Sequence, residues 1–303
     1  MHMILVTGTT GLNGSAVIRE FAHQKEPVRA LVRHRDKAHA LALDALPTVE
    51  LVEGDMLRPE TLGTALHDID RILLISSPGP QMVDTQCTLI DAAKSAGVRH
   101  IIKFSGLNAS PDSAFISTRM HGEIEHYLER SGLAWTHLRP SGFMQFHYRD
   151  VPNILAKDAI LLPMADVRQS IIDVQDIAKV AFALLRDGGH EGMRYDMTGP
   201  EALPMSGVAA HISDAIGRTV RYVDVWPGDR SQRLWWGHQG SPGFAEAMDE
   251  LFRQRREGIE SWIDLSTHEI FGIQPTTFAE FARRNAAVFR GEVGIPANLS
   301  PIR

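Results

Sequence analysis

Short apolar runs and helical patterns alternate through the first half of the chain. Residues 4–6, 28–32, 50–52, 72–75, 101–104 and 135–138 read as strands, nearly all apolar. Between them, apolar positions spaced for one helix face predict helices over 15–22, 38–43, 59–66, 82–96 and 116–130. Strands that are apolar on both faces and separated by helices belong to a parallel sheet covered on both sides. The pattern predicts an α/β fold: a doubly wound, Rossmann-type parallel sheet over residues 1–150.

The second half changes character. Pro152, Pro163, Pro200, Pro204 and Pro227 interrupt it. A strand at 170–174 leads to Asp176, expected as the N-cap of a helix over 177–185. That stretch, 170–185, is expected to return to the Rossmann sheet. A strand at 195–198, a helix over 206–216, a strand at 220–225 and a last helix over 277–288 then form a smaller C-terminal α/β substrate lobe, residues 151–303. The two halves are expected to pack with a cleft between them.

The turn after the first strand carries the first chemical signal. Gly8, Gly11 and Gly14 recur in Thr7-Gly-Thr-Thr-Gly-Leu-Asn-Gly-Ser15, and a helical pattern follows at once. Small residues there let a backbone approach a diphosphate, and the helix start supplies free N–H groups and a positive dipole end. A tight turn without a ligand is the alternative. The second strand ends at Arg33, where a basic residue suits the 2′-phosphate of NADP and an acid would suit NAD. Arg35 and Lys37 are candidate helpers. A solvated basic turn is the alternative for all three.

Composition narrows the picture. The chain has 303 residues and a net charge of −6, with no basic cluster, so nucleic acid is not expected as a partner. No apolar run is long enough to span a bilayer and no signal peptide is visible, which makes a cytoplasmic protein without a membrane partner the expectation. Cys87 is the only cysteine, which excludes an internal disulfide and argues against a thiolate metal site. It reads as a small buried apolar residue rather than a reactive thiol.

Several motifs in fixed order resemble the NmrA-like, atypical short-chain dehydrogenase/reductase family. They are the glycine turn, Arg33, Gly54-Asp55-Met56, Ala93-x-x-Ala-Gly97-Val-x-x-Ile101, Glu125-x-x-Leu128-x-x-Ser131-Gly-Leu-x-x-Thr136-x-Leu-Arg139-Pro140 and Ile172-Asp-Val-x-Asp176-Ile-Ala178. The likeness runs from residue 3 to about 220. It is greatest to the branch of NAD(P)H:quinone oxidoreductases and triphenylmethane (azo dye) reductases. The resemblance implies that Gly8, Thr9, Thr10, Gly11, Leu12, Asn13 and Gly14 form a diphosphate loop. It implies that Asp55 and Met56 flank the adenine, and that Ser76, Ser77 and Pro78 line the ribose and diphosphate. Ser105, Gly106, Pro140 and Phe143 would border the nicotinamide, so NADP(H) is the cofactor implied.

The dyad of typical short-chain dehydrogenases, Tyr-x-x-x-Lys, is missing. The residues four positions after Tyr127, Tyr148, Tyr195 and Tyr222 are Ser131, Pro152, Gly199 and Trp226. That argues against alcohol dehydrogenase and epimerase chemistry, which need a strong acid or base at a hydroxyl. The quinone-reductase branch carries histidine at the position of His121, where the isoflavone reductase-like branch has lysine. His121, with Ser105, is therefore the catalytic candidate, an imidazole titrating near neutrality. A helix-surface histidine paired with Glu125 is the alternative. Phe143, Phe146, His147 and Trp235 are candidates to line an apolar substrate pocket, although such aromatics are more often core. His121, Glu125 and His126 do not share one helix face, so no metal is expected. The reading is an NADPH-dependent reductase of a small aromatic or conjugated substrate, a monomer or homodimer. A non-enzymatic NADP(H)-sensing regulator and a biosynthetic isoflavone reductase-like enzyme remain alternatives.

Overall fold

The computed structural model describes residues 3–225 and 244–299. The chain divides into two compact units. The first comprises Met1–Pro140, Val174–Met197 and Thr267–Ile273, and the second Ser141–Asp173, Thr198–Ser266 and Gln274–Arg303.

The first unit alternates as its hydrophobic pattern demands: β1 (Met3–Val6), α1 (Leu12–His23), β2 (Val28–Val32), α2 (Arg35–Ala40), β3 (Val49–Glu53), a 3-10 turn (Pro59–Thr61), α3 (Gly63–Leu66), β4 (Ile69–Leu74), α4 (Met82–Ser95), β5 (His100–Phe104), α5 (Ile116–Arg130) and β6 (Ala134–Pro140). After a passage through the second unit, α7 (Val174–Asp187) and β8 (Met193–Met197) rejoin it. The sheet runs β3-β2-β1-β4-β5-β6-β8, parallel throughout. Strand order reverses between β1 and β4, and in such sheets ligands bind beyond the carboxyl ends of the strands at that point. β2 and β5 are buried at every position, as strands covered on both faces must be. α7 lies along α1, with Phe182 edge-on to Phe21 at 4.8 Å between ring centroids. Arg71 on β4 caps the end of α7 by donating to the carbonyls of Leu185 (2.6 Å) and Arg186 (2.8 Å).

Four details differ from the sequence expectation. α2 starts at Arg35 rather than 38, because Asp36 favours the positive end of a helix, and it stops where Ala42 takes a φ of 52°. The helix expected over 59–66 is split into a 3-10 turn and a single short turn. The Arg29 guanidinium draws away the carbonyls of Thr64, Ala65 and His67 that a longer helix would have used. Residues 170–174 form no strand but only an isolated bridge between Ile172 and Phe143, and Asp176 is not an N-cap but a buried residue in the first turn of α7. The strand expected at 195–198 in the smaller lobe is β8, the last strand of the main sheet.

The second unit contains a 3-10 stretch (Met144–Asp150), α6 (Val151–Lys157), β7 (Ala159–Leu162), α8 (Met205–Ile216), β9 (Arg221–Asp224) and α9 (Phe244–Arg256). α10 (Ser266–Ile270) leads back into the first unit, and α11 (Phe278–Arg284) and α12 (Ala286–Phe289) complete the second. β7 and β9 form a parallel pair. The core gathers Phe278, Phe281 and Phe289, with Tyr148 5.5 Å from the Phe281 ring and 5.8 Å from Phe289. α11 begins with a capping box in which Thr277 accepts from the Glu280 N–H and Glu280 accepts from the Thr277 N–H. Among the described residues no helix is long and apolar enough to cross a membrane.

Candidate functional site

The glycine turn lies where the strand order reverses. Gly8 has a φ of 61°, and a Cβ there would sit 2.9 Å from the Ile75 carbonyl oxygen at the end of β4. A Cβ on Gly14 would stand 2.7 Å from the Gly8 carbonyl carbon and 2.9 Å from the Thr9 Cα. The loop therefore closes on its own backbone only with hydrogen at both positions. Thr7 ties β1 to β4, donating to the Ile75 carbonyl (2.6 Å) and accepting from its N–H (2.8 Å). Thr9 donates to the Leu31 carbonyl on β2 (2.9 Å), so its hydroxyl holds the loop rather than facing outward. Gly11 is the N-cap of α1. No side chain caps the helix start and no acid lies in its first turn. Thr10 and Leu12 are half-buried there, and Asn13 keeps a buried Oδ1 with no hydrogen-bond partner. An uncompensated helix start behind a loop of bare backbone fits a diphosphate.

Arg33 follows β2 directly, is exposed, and makes no hydrogen bond or ion pair with the described residues. Arg35, by contrast, is committed to the sheet edge through the Leu51 carbonyl (3.0 Å). Beyond β3, Asp55 accepts from the Leu57 N–H (3.0 Å), and Met56 rests against the core. Beyond β4, Ser76 accepts from Gln86 Nε2 (2.9 Å), while Ser77 and Pro78 are exposed.

The end of β5 gathers several buried polar groups. The Ser105 N–H donates to Leu138 (2.7 Å), but its hydroxyl is buried with no partner. The Lys103 side chain is fully buried and donates to the Phe104 carbonyl (3.2 Å), and its Nζ lies 2.9 Å from His121 Nδ1. The other edge of the half-buried His121 ring faces Gly106: a Cβ there would lie 3.7 Å from Cδ2 and 3.9 Å from Nε2. Burial, and then the Lys103 charge, push His121 well below its usual range, so the ring is neutral at pH 7. This corrects the expectation of an imidazole titrating near neutrality. Burial pushes Lys103 down to about 7, with Glu125 opposing and Arg139 reinforcing.

Glu125 does not pair with His121. Its carboxylate takes both the Nε (2.9 Å) and a terminal nitrogen of Arg139 from β6. Glu129 accepts from His137 Nε2 (3.0 Å) and from Arg194. Burial, followed by the Lys103 charge, keeps His137 neutral. Ligand atoms of Glu125, Glu129 and His137 lie within 4.8 Å of one another. Each carboxylate already holds a guanidinium, so the cluster is an ion-pair network beneath the β5 and β6 ends.

Pro140 ends β6 in the first unit and accepts from the Leu107 N–H (3.2 Å). Phe143 and Phe146 belong to the second unit, half-buried, with ring centroids 5.1 Å apart and the Arg149 guanidinium 5.3 Å from the Phe146 ring. His147 is buried there, bonded to Asp150 (2.8 Å) and edge-on to Phe278. Trp235 lies outside the described residues.

The structure thus brings Ser105, Gly106 and His121 together and sets the glycine loop at the reversal point of the same sheet. Lys103 was missed in the sequence. Its signal was a charged residue in the strand Ile101-Ile-Lys-Phe104, whose faces both had to be covered.

A family model described as the NmrA-like family matches residues 1–282. An NAD(P)H azoreductase of Xenophilus azovorans is 37% identical over 287 residues, 95% of this chain and 99% of that protein. A (4-alkanoyl-5-oxo-2,5-dihydrofuran-3-yl)methyl phosphate reductase of Streptomyces griseus is 30% identical over 291 residues, 96% of this chain and 100% of that protein. Among solved structures, the NADPH-dependent quinone oxidoreductase QOR2 of Escherichia coli, complexed with NADPH, superposes with a TM-score of 0.81 at 28% identity, covering 93% of this chain and 99% of that one. With the family model matching nearly its whole length, the chain belongs to the NmrA-like family.

Proposed function

We propose that this protein is an NADPH-dependent reductase that delivers a hydride to a flat, conjugated electrophile such as a quinone or an azo or aryl dye. The coarser statement is firm: the chain is an NAD(P)H-dependent oxidoreductase, like the reductases it matches over nearly its whole length. The observation that carries the finer reading is the end of β5. There, a neutral histidine and an unpartnered buried serine hydroxyl stand where a Tyr-x-x-x-Lys dyad is missing.

We assign the roles as the family resemblance implies them, with the geometry of the first unit in support. The open start of α1 and the backbone of residues 8–14 bind the diphosphate. Arg33, free at the end of β2, meets the 2′-phosphate. Asp55 and Met56 flank the adenine, and Ser76, Ser77 and Pro78 line the ribose side. Ser105, Gly106 and Pro140 border the nicotinamide. When bound, the cofactor supplies the hydride. His121 and Ser105 offer hydrogen bonds to the polar end of the acceptor. Because His121 is neutral, it orients the acceptor rather than protonating it, and solvent provides the proton. Quinones and azo compounds tolerate this, because their reduced forms need no strong acid on the enzyme.

The test is loss of NADPH absorbance with a panel of quinones, azo dyes and enones, beside NADPH binding by calorimetry. Turnover above blank on at least one acceptor is the expected result. Tight NADPH binding with no turnover on any acceptor would overturn the reading in favour of a redox sensor.

A further inference from the structure

We propose that Lys103 is a positioning residue for His121: it occupies Nδ1, fixes the tautomer with hydrogen on Nε2, and so presents an N–H donor beside Gly106. This rests on the reading of the β5 end as the place where the acceptor sits.

The argument starts from valence. An ammonium has three donors and no acceptor. Lys103 Nζ lies 2.9 Å from His121 Nδ1, so the lysine donates and Nδ1 must carry a lone pair. A neutral ring with a lone pair on Nδ1 bears its hydrogen on Nε2. The opposite tautomer would aim an N–H at an N–H, and the doubly protonated ring would add a cation beside a cation in a buried place. Among the described residues His121 has no second partner, and its Nε2 edge is the one that faces Gly106. A ring whose Nδ1 accepts from a cation is also polarised, which makes its Nε2–H a better donor.

The placement of Lys103 is hard to explain as packing. An ammonium buried on a fully covered strand is costly unless it is paired. The nearest acid, Glu125 on α5, is bound on both oxygens by Arg139. Arg139 and His137 on β6 and Cys87 on α4 are the other titratable or charged groups that face Lys103. None of them is its hydrogen-bond partner. Among the described residues the only bonds Lys103 makes are to its neighbour's carbonyl and to His121.

The lock depends on the ammonium. Once the lysine loses its proton, the amine can accept as well as donate, and the Nδ1–H tautomer becomes allowed. With Lys103 held down to about 7, the tautomer preference should weaken through the alkaline side of neutrality.

The tautomer is read directly by two-bond proton–nitrogen NMR of protein labelled at histidine, with His121 assigned by its absence in His121→Gln. The expected result is an Nε2–H ring at pH 6.5, loss of that preference in Lys103→Met, and its retention to pH 9 in Lys103→Arg, which stays charged. An unchanged Nε2–H signal in Lys103→Met, or an Nδ1–H ring in the native protein, would overturn the proposal. If Lys103→Met does not fold, the native and Lys103→Arg proteins decide alone: identical tautomer behaviour from pH 6 to 9 refutes the lock. These spectra need no turnover, so they stand whether or not the reductase reading does. On that reading, kcat falls about tenfold or more in Lys103→Met with KM little changed, and Lys103→Arg restores it and flattens the alkaline limb of its pH profile. A Lys103→Met loss confined to KM would count against the assignment.

Discussion

Adding one methyl group at Gly14 should cost this protein its cofactor more than its stability. The Cβ of Gly14→Ala would stand 2.7 Å from the Gly8 carbonyl carbon and 2.9 Å from the Thr9 Cα. The Gly8 carbonyl oxygen is nearer still, so the two stretches of backbone must part by about 1 Å to restore ordinary contact. The obstructing atoms are main chain and cannot swing aside. Overpacking of this kind costs about 1–3 kcal/mol, offset by roughly 1 kcal/mol that alanine gains over glycine inside a helix. A net loss of about 0–2 kcal/mol follows, small enough for the variant to remain folded. On the proposed binding mode the loop, however, moves by nearly 1 Å from the place where its N–H groups would meet the diphosphate. Each charged hydrogen bond lost is worth about 1.5–3 kcal/mol, so Kd for NADPH should rise about 10- to 150-fold per bond. Isothermal calorimetry measures Kd, and thermal denaturation follows the fold. Gly207→Ala is the control: its Cβ meets Pro204 and Leu203 at 3.4 Å or more, so α8 should gain stability while binding stays unchanged. Native NADPH affinity in Gly14→Ala would refute the close-approach argument.

Four further outcomes are expected. Arg33→Ala should weaken NADPH binding about 10- to 100-fold and leave NADH within twofold; an equal loss for both nucleotides would remove Arg33 from the 2′-phosphate. Glu125→Leu strands the half-buried Arg139 guanidinium and should cost about 2 kcal/mol in urea unfolding, whereas adding Arg139→Met should recover part of it; a double variant worse than the single would contradict this. Thr277→Ala breaks the α11 capping box and should cost about 1 kcal/mol, read as a lower Tm. Finally, Lys103 is depressed in the fold to about 7, so between about 7 and 10.4 the unfolded chain holds a proton that the folded chain has lost. Its contribution to stability therefore grows with pH across that window, by up to about 1.4 kcal/mol per unit, and that slope should vanish in Lys103→Met.

How far the sequence reached can be argued residue by residue. The run Met3–Val6 and the three glycines after it are local signals, and strand, turn and helix follow in the expected register. The six apolar runs of the first half all became strands, though only β2 and β5 are buried at every position and the edge strand β3 keeps Glu50 and Glu53 exposed. The Glu125–Arg139 pair was not legible, since it needs α5 laid over β6. The pairing of β7 with β9 was equally hidden: the register Ala159 to Arg221 spans some sixty residues of chain. Asp176 misled because an acid before an apolar helix usually caps it, whereas here α7 starts at Val174 and takes the acid inside. For His121 the sequence offered a ring titrating near neutrality or one paired with Glu125; the fold shows neither, because Lys103 from a neighbouring strand lies against Nδ1 and burial keeps the ring neutral.

The late arrival of β8 has a consequence for how the protein is made. The sheet's last strand pairs with β6, yet more than fifty residues separate Pro140 from Met193, and the helix that covers α1 lies between them as well. A nascent chain that has emerged only to Pro140 carries a bare strand edge and an uncovered apolar helix face. Such a chain is prone to pair with its neighbours. Ribosomal release of residues 174–197 is the step that seals both. Truncation before Met193 should therefore yield aggregates rather than a smaller working sheet, and slow synthesis through the intervening stretch should draw on chaperones.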